Sequence, residues 1–512
     1  MNRVRMLLWL ALAAFALTTT ASSQEEEKVL TWSMSFSMNC LDPAIQQGWP
    51  DSLILANVYE PLVTVVPGTI SDFQPALAES WTVSDDGLVY TFMLREGAMW
   101  HDGYGPVTAD DVKASWERMR DPETNARGAA DFEPIDTIEV LDPMTVRVTM
   151  EEPFAPFLTY LAHAVGFRIA NVQAIEDRGE DHCIDPVGSG PYEVESAQRQ
   201  GSVVLVANRN YDLGVPPIDR VIKRHIPEES VAALALRSGE VDLGLIRDAE
   251  VLLGLLDEPD LEVNVDDQFS ASLLGLWLNT SRPPLDDVRV RQALTHAIDR
   301  ELLVPVVTEG LVDRVAHGIL PISVFGFNDD VPKYEYDPER ARALLEDAGL
   351  GDGFEVEAIA IQAGFNVAML TIVQQMWADV GVDLVIETSD RSTIRARQRA
   401  GDFDINVSNP SRADPDQFLR YFKRDNVPPG PNWMYYDGGD ELEELMLEQA
   451  RTPNPGDRYE ILAEIQEIIA RDAPMIPLWY PLEGSVYHES VTGVVPNVPS
   501  VNMLFYLMDI ER

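Results

Sequence analysis

Short apolar runs of strand length alternate along this chain with amphipathic segments that begin and end on helix signals, and this alternation narrows the choice of fold before composition is considered. Val29–Ser33 reads as a short apolar strand, Leu88–Leu94 alternates around Val89, Tyr90 and Phe92, and Val203–Ala207 and Val221–Ile226 read as buried strands. Between Asp337 and Gly349 the helix signals are complete. Asp337 stands at the N-cap, Pro338 takes the first helical position, Ala341, Leu344, Leu345 and Ala348 recur at helical spacing, and Gly349 closes the end. Asp286–Arg300 carries a second stripe of Val290, Leu294, Ala297 and Ile298, with acid at its start and base at its end as the helix dipole favours. Thr108-Ala109-Asp110-Asp111 has the spacing of a capping box. Alternating units of this kind specify mixed α/β layers. At 512 residues the chain is long enough for more than one domain. No internal repeat and no long low-complexity linker interrupts it, and Pro428–Pro431 reads as a surface loop between Phe422 and Trp433. Lobes without a disordered linker need ordered crossing segments, for which Leu273–Asn279 and Ile476–Tyr480 are the apolar, extended candidates.

The N-terminus sets the compartment. Met1–Arg5 carries two arginines and no acid, Met6–Leu17 is almost wholly apolar, and Thr18–Ser23 is small and polar, the three parts of a secretory signal peptide. A cut after Ser23 makes residues 1–23 the signal and Gln24 the mature start. The apolar run is short for the ~30 Å of a hydrocarbon core, and no cysteine stands at the junction to take a lipid. The mature protein is therefore expected to be soluble in the periplasm. In that oxidising compartment Cys40 and Cys183 can form one disulfide, although sequence leaves open whether their Cα atoms approach closely enough. The 85 acids against 38 bases give a net charge of −47, and loss of Arg3 and Arg5 with the signal makes it −49. Such a surface repels nucleic acid and anionic membranes.

Catalytic patterns are missing where they would be expected. Gly188-Ser189-Gly190 approaches a serine-hydrolase elbow, but its outer neighbours are Val187 and Pro191, so it reads as a glycine turn. No phosphate-binding Gly-x4-Gly-Lys-Ser/Thr loop, dinucleotide fingerprint or HExxH zinc motif occurs. His101, in Trp100-His101-Asp102-Gly103, reads as a residue that orients a turn, and His182-Cys183 lacks metal-ligand spacing. Carboxylate pairs carry little weight at this acid density. No enzyme, cofactor or metal site is expected.

A series of segments then resembles, in order, the family 5 extracellular solute-binding proteins of the peptide/nickel ABC-importer class. Leu41-Asp42-Pro43, Tyr59-Glu60-Pro61-Leu62, Pro75–Trp81 and Ser84–Gly87 come first. Leu94-Arg95-Glu96-Gly97, Trp100–Gly103, Val107–Val112, Val187–Tyr192 and Arg237–Asp242 follow. Asp287–Leu294, Ala297–Arg300 and Tyr336–Glu339 complete the series. Most of these residues read as structural, with Gly97, Gly103 and Gly190 in turns and Trp81 and Trp100 in the core.

The resemblance implies an α/β, two-lobed, hinge-closing fold of the type II periplasmic-binding-protein kind. Lobe I would hold residues 29–270 plus 482–512, with an inserted subdomain at about 64–185, and lobe II residues 272–481. It implies a monomeric receptor that binds an oligopeptide or peptide-like solute between the lobes and hands it to an ABC permease and its ATPase subunits. An oligosaccharide, an opine-like compound or a metal chelate is the alternative cargo, and a secreted hydrolase the more distant reading.

By position in the family pattern, the ligand-contact candidates are Trp49, Phe365, Ser411, Arg412, Asp414, Trp433 and Tyr435, with Arg391 and Arg395 weaker. In peptide-binding members an aspartate about three residues before an Asp-Pro step holds the ligand's amino terminus. Here that step is Asp414-Pro415 and the matching residue is Ser411, which cannot make a charge-assisted bond to an ammonium. Asp414 or Asp416 would have to substitute; Arg412 either favours an anionic or carbonyl-rich ligand or, equally, points to solvent or pairs with one of the many acids.

Overall fold

A computed structural model describes residues 27–46, 48–265, 271–362, 364–481, 484–495 and 503–511. The signal segment 1–23 lies outside the described residues. Two mixed sheets dominate. The first has seven strands in the order Leu261–Asn264, Gly484–His488, Leu243–Ile246, Val29–Met34, Arg220–His225, Val203–Ala207 and Tyr192–Ala197. Its centre is parallel, with Val29–Met34 running alongside both Arg220–His225 and Leu243–Ile246. The second has five strands in the order Val382–Ser389, Phe354–Ile361, Ile405–Ser408, Leu274–Leu278 and Met475–Trp479, of which the first three are mutually parallel. This is the mixed α/β layering that the alternation of strand and helix signals specifies, in the two-lobed form that the family resemblance implies. A third, four-stranded antiparallel sheet is built from Ala78–Val83, Val89–Leu94, Thr145–Met150 and Ile135–Asp142. Phe92, Trp116, Phe132, Phe157 and Phe167 fill its own core.

Leu273–Asn279 and Ile476–Tyr480 do not serve as crossings. They form the adjacent antiparallel strands Leu274–Leu278 and Met475–Trp479 inside the second sheet, with every residue buried. Their unbroken apolar character reflects a strand covered on both faces. Local cap chemistry explains most helix boundaries. Asp337 accepts the Arg340 amide at 2.8 Å and starts the helix Pro338–Asp347. The Thr108 amide donates to Asp111 at 2.8 Å, closing a capping box on Ala109–Arg120. The helix expected over Asp286–Arg300 is instead two. Asp287 caps Val288–His296, and Asp299, accepting from Leu302 at 3.0 Å, opens a new helix Arg300–Val307. A strong cap inside an amphipathic run interrupts it.

One buried network ties the third sheet to the first. Arg95 places its guanidinium between Asp212, with Nε to Oδ2 at 2.7 Å, and Glu60, with Nη2 to Oε1 at 3.0 Å, and donates to the Ala76 carbonyl at 2.6 Å. Glu60 also accepts from Ser189 Oγ at 2.9 Å and Tyr211 Oη at 2.8 Å. Burial alone would lower the Arg95 pKa, but the two carboxylates raise it above the ordinary arginine range. Ser189 is thus 1% exposed and bonded to a carboxylate, a structural hydroxyl with no access for a substrate. Its flanking glycines are required by proximity: a Cβ on Gly188 would stand 1.8 Å from the Val58 carbonyl oxygen, and one on Gly190 2.7 Å from that of Asn57. Gly190 therefore supports a close backbone approach where a turn was expected, while Gly97 and Gly103 do take left-handed φ of 96° and 77°. His101 braces the same loop, its Nε2 2.9 Å from the Gly190 carbonyl oxygen. Trp100 is buried and Trp81 packs partly buried against the same core.

Cys40 and Cys183 are joined by a disulfide that closes a loop with a sequence separation of 143. Long loops give large entropic stabilisation of this kind. The double substitution Cys40→Ser/Cys183→Ser should lower unfolding free energy by ~2–5 kcal/mol, read from denaturant melts, and thiol titration of the native protein should find no free sulfhydryl.

Burial pushes the imidazoles of His101, His163 and His182 down to about 4. The unfolded chain then takes up protons below its ordinary histidine pKa while the folded chain does not. Stability held above about pH 6.5 is therefore lost as pH falls towards 4, by up to roughly 3 kcal/mol per histidine. Thermal melts between pH 7.5 and 4.5 should show this fall, and His101→Gln should make it shallower.

Candidate ligand-binding cleft

In open α/β sheets the loops that leave the carboxyl ends of adjacent parallel strands converge on one crevice. Both lobes of this chain follow that geometry. In the first, Phe36 follows Val29–Met34 and Arg247 follows the parallel neighbour Leu243–Ile246. In the second, Phe365 lies beyond Phe354–Ile361, Arg391 beyond Val382–Ser389, and Ser411 and Arg412 beyond Ile405–Ser408. Five sequence-distant segments are thus brought to strand ends by register alone.

On the first lobe, Trp49 opens the helix Trp49–Val58 and meets Phe36 edge to face at 5.9 Å. The Arg247 guanidinium lies over the Trp49 ring at 4.4 Å and the Phe36 ring at 5.6 Å. Arg127 joins from the third sheet's long connection, its amide bonded to the Ala44 carbonyl at 2.9 Å. On the second lobe, the helix Arg391–Ala400 is capped by Asp390 and carries Arg391 and Arg395 one turn apart. Arg395 lies over Trp433 at 4.4 Å, and Trp433 in turn packs 5.8 Å from Trp277. Arg412 donates to its neighbour Ser411's carbonyl at 2.6 Å and to Tyr421 Oη at 2.5 Å.

The two halves are electrically in contact. Partial desolvation by the surrounding protein lowers the pKa of Arg127, which stays open to solvent, and the charges of Arg412 and Arg391 lower it further. Arg391 is lowered by burial and by Arg247. Arg395 is lowered to about 10 by burial, then by Arg391 and Arg127. Arginines of one lobe therefore sense those of the other across the cleft.

Trp49, Arg412 and Trp433 thus stand among these cleft residues, and Ser411 pairs its backbone with Ser272 beside them. Phe365 is 46% exposed at the start of the helix Gly364–Ala378, with no ring or cation contact to the others among the described residues. Tyr435, at φ 53°, lays its ring against Gly401, where a Cβ would meet its hydroxyl at 2.7 Å. Asp414 does not face a ligand. It is 2% exposed, caps the helix Pro415–Leu419 and pairs with Arg458 at 2.7 Å. Asp416 is also engaged, accepting from Tyr160 Oη at 2.7 Å and from Gln449 at 3.0 Å. Sequence reading missed Phe36, Arg127, Arg247 and Tyr421. The one local signal was that Arg247 directly follows a wholly buried strand.

A second line of contacts joins the third sheet's subdomain to the second lobe. Beside the Tyr160–Asp416 bond, Arg420 pairs with Asp131 at 2.6 Å, Arg451 pairs with Glu152, and the Ala155 amide donates to Ala450 at 2.7 Å.

Residues 72–428 match the family model of the bacterial extracellular solute-binding proteins, family 5. The chain belongs to that family. Among family 5 relatives, the dipeptide-binding protein of Escherichia coli is 28% identical, with 96% of each chain covered. A Helicobacter pylori periplasmic binding protein, solved with the peptide STSA, superposes with a TM-score of 0.84 at 28% identity, covering 94% of this chain and 98% of its own. A binding protein of A. tumefaciens R10, solved with mannopinic acid, gives a TM-score of 0.83 at 26% identity, covering 95% and 100%. No helix among the described residues of this family 5 protein is long and apolar enough to cross a membrane.

The Tyr160–Asp416 bond joins the two halves of this family 5 protein. Tyr160→Phe removes a hydrogen bond to a charged acceptor, a class worth ~1.5–3 kcal/mol. The ligand-free variant should shift towards open forms about tenfold, read as a larger small-angle scattering radius or longer distances between paired spin labels.

Proposed function

We propose that this protein is the periplasmic, non-catalytic substrate-binding component of an ABC importer. It would receive an oligopeptide or peptide-like solute between lobes divided at about residues 271 and 482, and present the closed complex to a membrane permease and its ATPase subunits. The observation that carries this reading is the cleft itself, in which strand-end loops of two separate sheets bring Trp49, Phe36, Trp433 and Tyr421 together with arginines from both sides. Aromatic faces with a few placed polar groups suit a small organic ligand, and two lobes meeting over it make occupancy readable as a change of shape. The relatives that carry peptides support the peptide class.

A second cargo reading rests on a specific observation. Ser411 replaces the amine-anchoring aspartate, and both nearby aspartates are occupied, Asp414 by Arg458 and Asp416 by Tyr160 and Gln449. An opine-like or sugar-derived solute without a free amine fits that arrangement, and the A. tumefaciens relative solved with mannopinic acid supports it.

Thermal-shift measurement on the mature protein tests both readings. A ligand held at ~100 times its dissociation constant adds ~2.7 kcal/mol to unfolding if it binds only the folded state. A shift with peptides, and intact peptides recovered afterwards, is the expected outcome. Cleavage of any bound peptide would overturn the non-catalytic assignment.

A further inference from the structure

The chain carries 85 acidic against 38 basic residues, and many of its arginines pair with carboxylates, while buried ones such as Arg291 and Arg300 are held by backbone carbonyls. Arg118, Arg420 and Arg458 each hold one carboxylate, Arg95 holds two, and Arg397 is surrounded by Glu357, Glu387 and Asp402. Arg127, Arg391, Arg395 and Arg412 do not. Among the described residues none of these four pairs with a carboxylate; Arg395 and Arg412 are held by ring faces, an amide side chain, a carbonyl and a hydroxyl. Arg127 lies beside Gly48, the residue before Trp49, where a Cβ would stand 3.9 Å from its Nη1. Arg391 and Arg395 share the first turns of one helix, Arg395 and Arg412 stack on Trp433 and Tyr421, and Arg247 stacks on Trp49, with their charges acting on one another between the lobes. Arg391 also stands in the first turn of its helix, where the backbone already presents positive charge. Concentrating the guanidiniums of Arg127, Arg391, Arg395 and Arg412, none of them paired with a carboxylate among the described residues, at one place is unfavourable in the empty state and becomes favourable once an anion is seated. Guanidiniums are the side chains best shaped for carboxylates and phosphates.

We infer that the ligand of this cleft carries at least two acidic groups, held by Arg127 and Arg247 on the first lobe and by Arg391, Arg395 and Arg412 on the second. This inference rests on the receptor reading above and names the charge of its cargo. An acidic peptide, a polycarboxylate and a sugar acid share that chemistry. The same arrangement makes the ligand favour closure. Bringing the lobes together without it forces like charges into one another's field, and two acidic groups placed between them turn that repulsion into attraction. Trp49 and Trp433 supply flat faces on either side for the uncharged part of the molecule.

Calorimetric titration of the mature full-length protein at low salt is the test. The probes are the peptide Ala-Glu-Glu, its amide counterpart Ala-Gln-Gln, its cationic counterpart Ala-Lys-Lys, citrate and digalacturonate, with small-angle scattering to report closure. At least one acidic probe should bind, close the lobes and exceed every neutral or cationic probe by tenfold or more, with affinity falling steeply as salt rises. Arg391→Gln and Arg412→Gln should each weaken that acidic probe by 5–30-fold and leave Ala-Gln-Gln within twofold. Arg224→Gln, which removes an equal charge from a surface pair with Glu240, should change neither. Equal or tighter binding of Ala-Gln-Gln or Ala-Lys-Lys overturns the inference and leaves the receptor reading standing, as does a variant that weakens acidic and neutral probes alike. Closure by no probe of any charge overturns both.

Discussion

Arg95 cannot be buried unless two carboxylates are buried with it, and the rest of the first lobe is arranged to meet that condition. Glu60 comes from the segment after the first helix, Asp212 from a loop beyond the sheet's edge, and Ser189 and Tyr211 complete the coordination of Glu60. An unpaired charge at this depth would cost several kcal/mol, so the four segments have one acceptable mutual placement. That placement fixes the third sheet against the first, and with it the positions from which Arg127 and Tyr160 reach the second lobe. A hydrophobic core alone would hold these elements together without specifying their angle so narrowly.

The segments that resemble the family were legible in sequence because they are short, local and rich in Gly, Pro and caps. What they do was less legible. Tyr59-Glu60-Pro61-Leu62, Leu94-Arg95-Glu96-Gly97 and Val187–Tyr192 look like independent turns in one dimension and are three walls of a single buried ion network in space. The helix signals at Asp337 and Thr108 gave correct starts because cap chemistry acts within a few residues. The same rule explains the error at Asp299, a second cap hidden inside a convincing apolar stripe. Leu273–Asn279 and Ile476–Tyr480 looked like lobe crossings because both are largely apolar, a pattern that a strand covered on both faces shares.

The cleft was the least legible part. Trp49, Arg412 and Trp433 were reachable by position in the family pattern. Arg127 and Arg247 belong to no motif, and in a chain full of ions a lone arginine carries no signal. Arg247 reaches the cleft through strand order, since parallel neighbours deliver residues far apart in sequence to one edge, and Arg127 reaches it from the long connection of the third sheet. Asp414 shows the opposite failure. An Asp-Pro step beside a suspected site invites a ligand role, yet its carboxylate is consumed by Arg458 and by the helix it caps.

The bond between Cys40 and Cys183 gives the first half of the molecule an unusual topology. Everything between those residues, including the whole third sheet and its aromatic core, hangs from one covalently pinned point as a closed ring. A protease that nicks any exposed turn on that ring opens it without releasing a fragment. The severed ends stay tethered to the sheet that anchors them, at high local concentration, and non-covalent packing can restore the structure around the break. For a member of a family of extracellular binding proteins, a single cut in this ring therefore leaves both ends covalently joined to the rest of the chain.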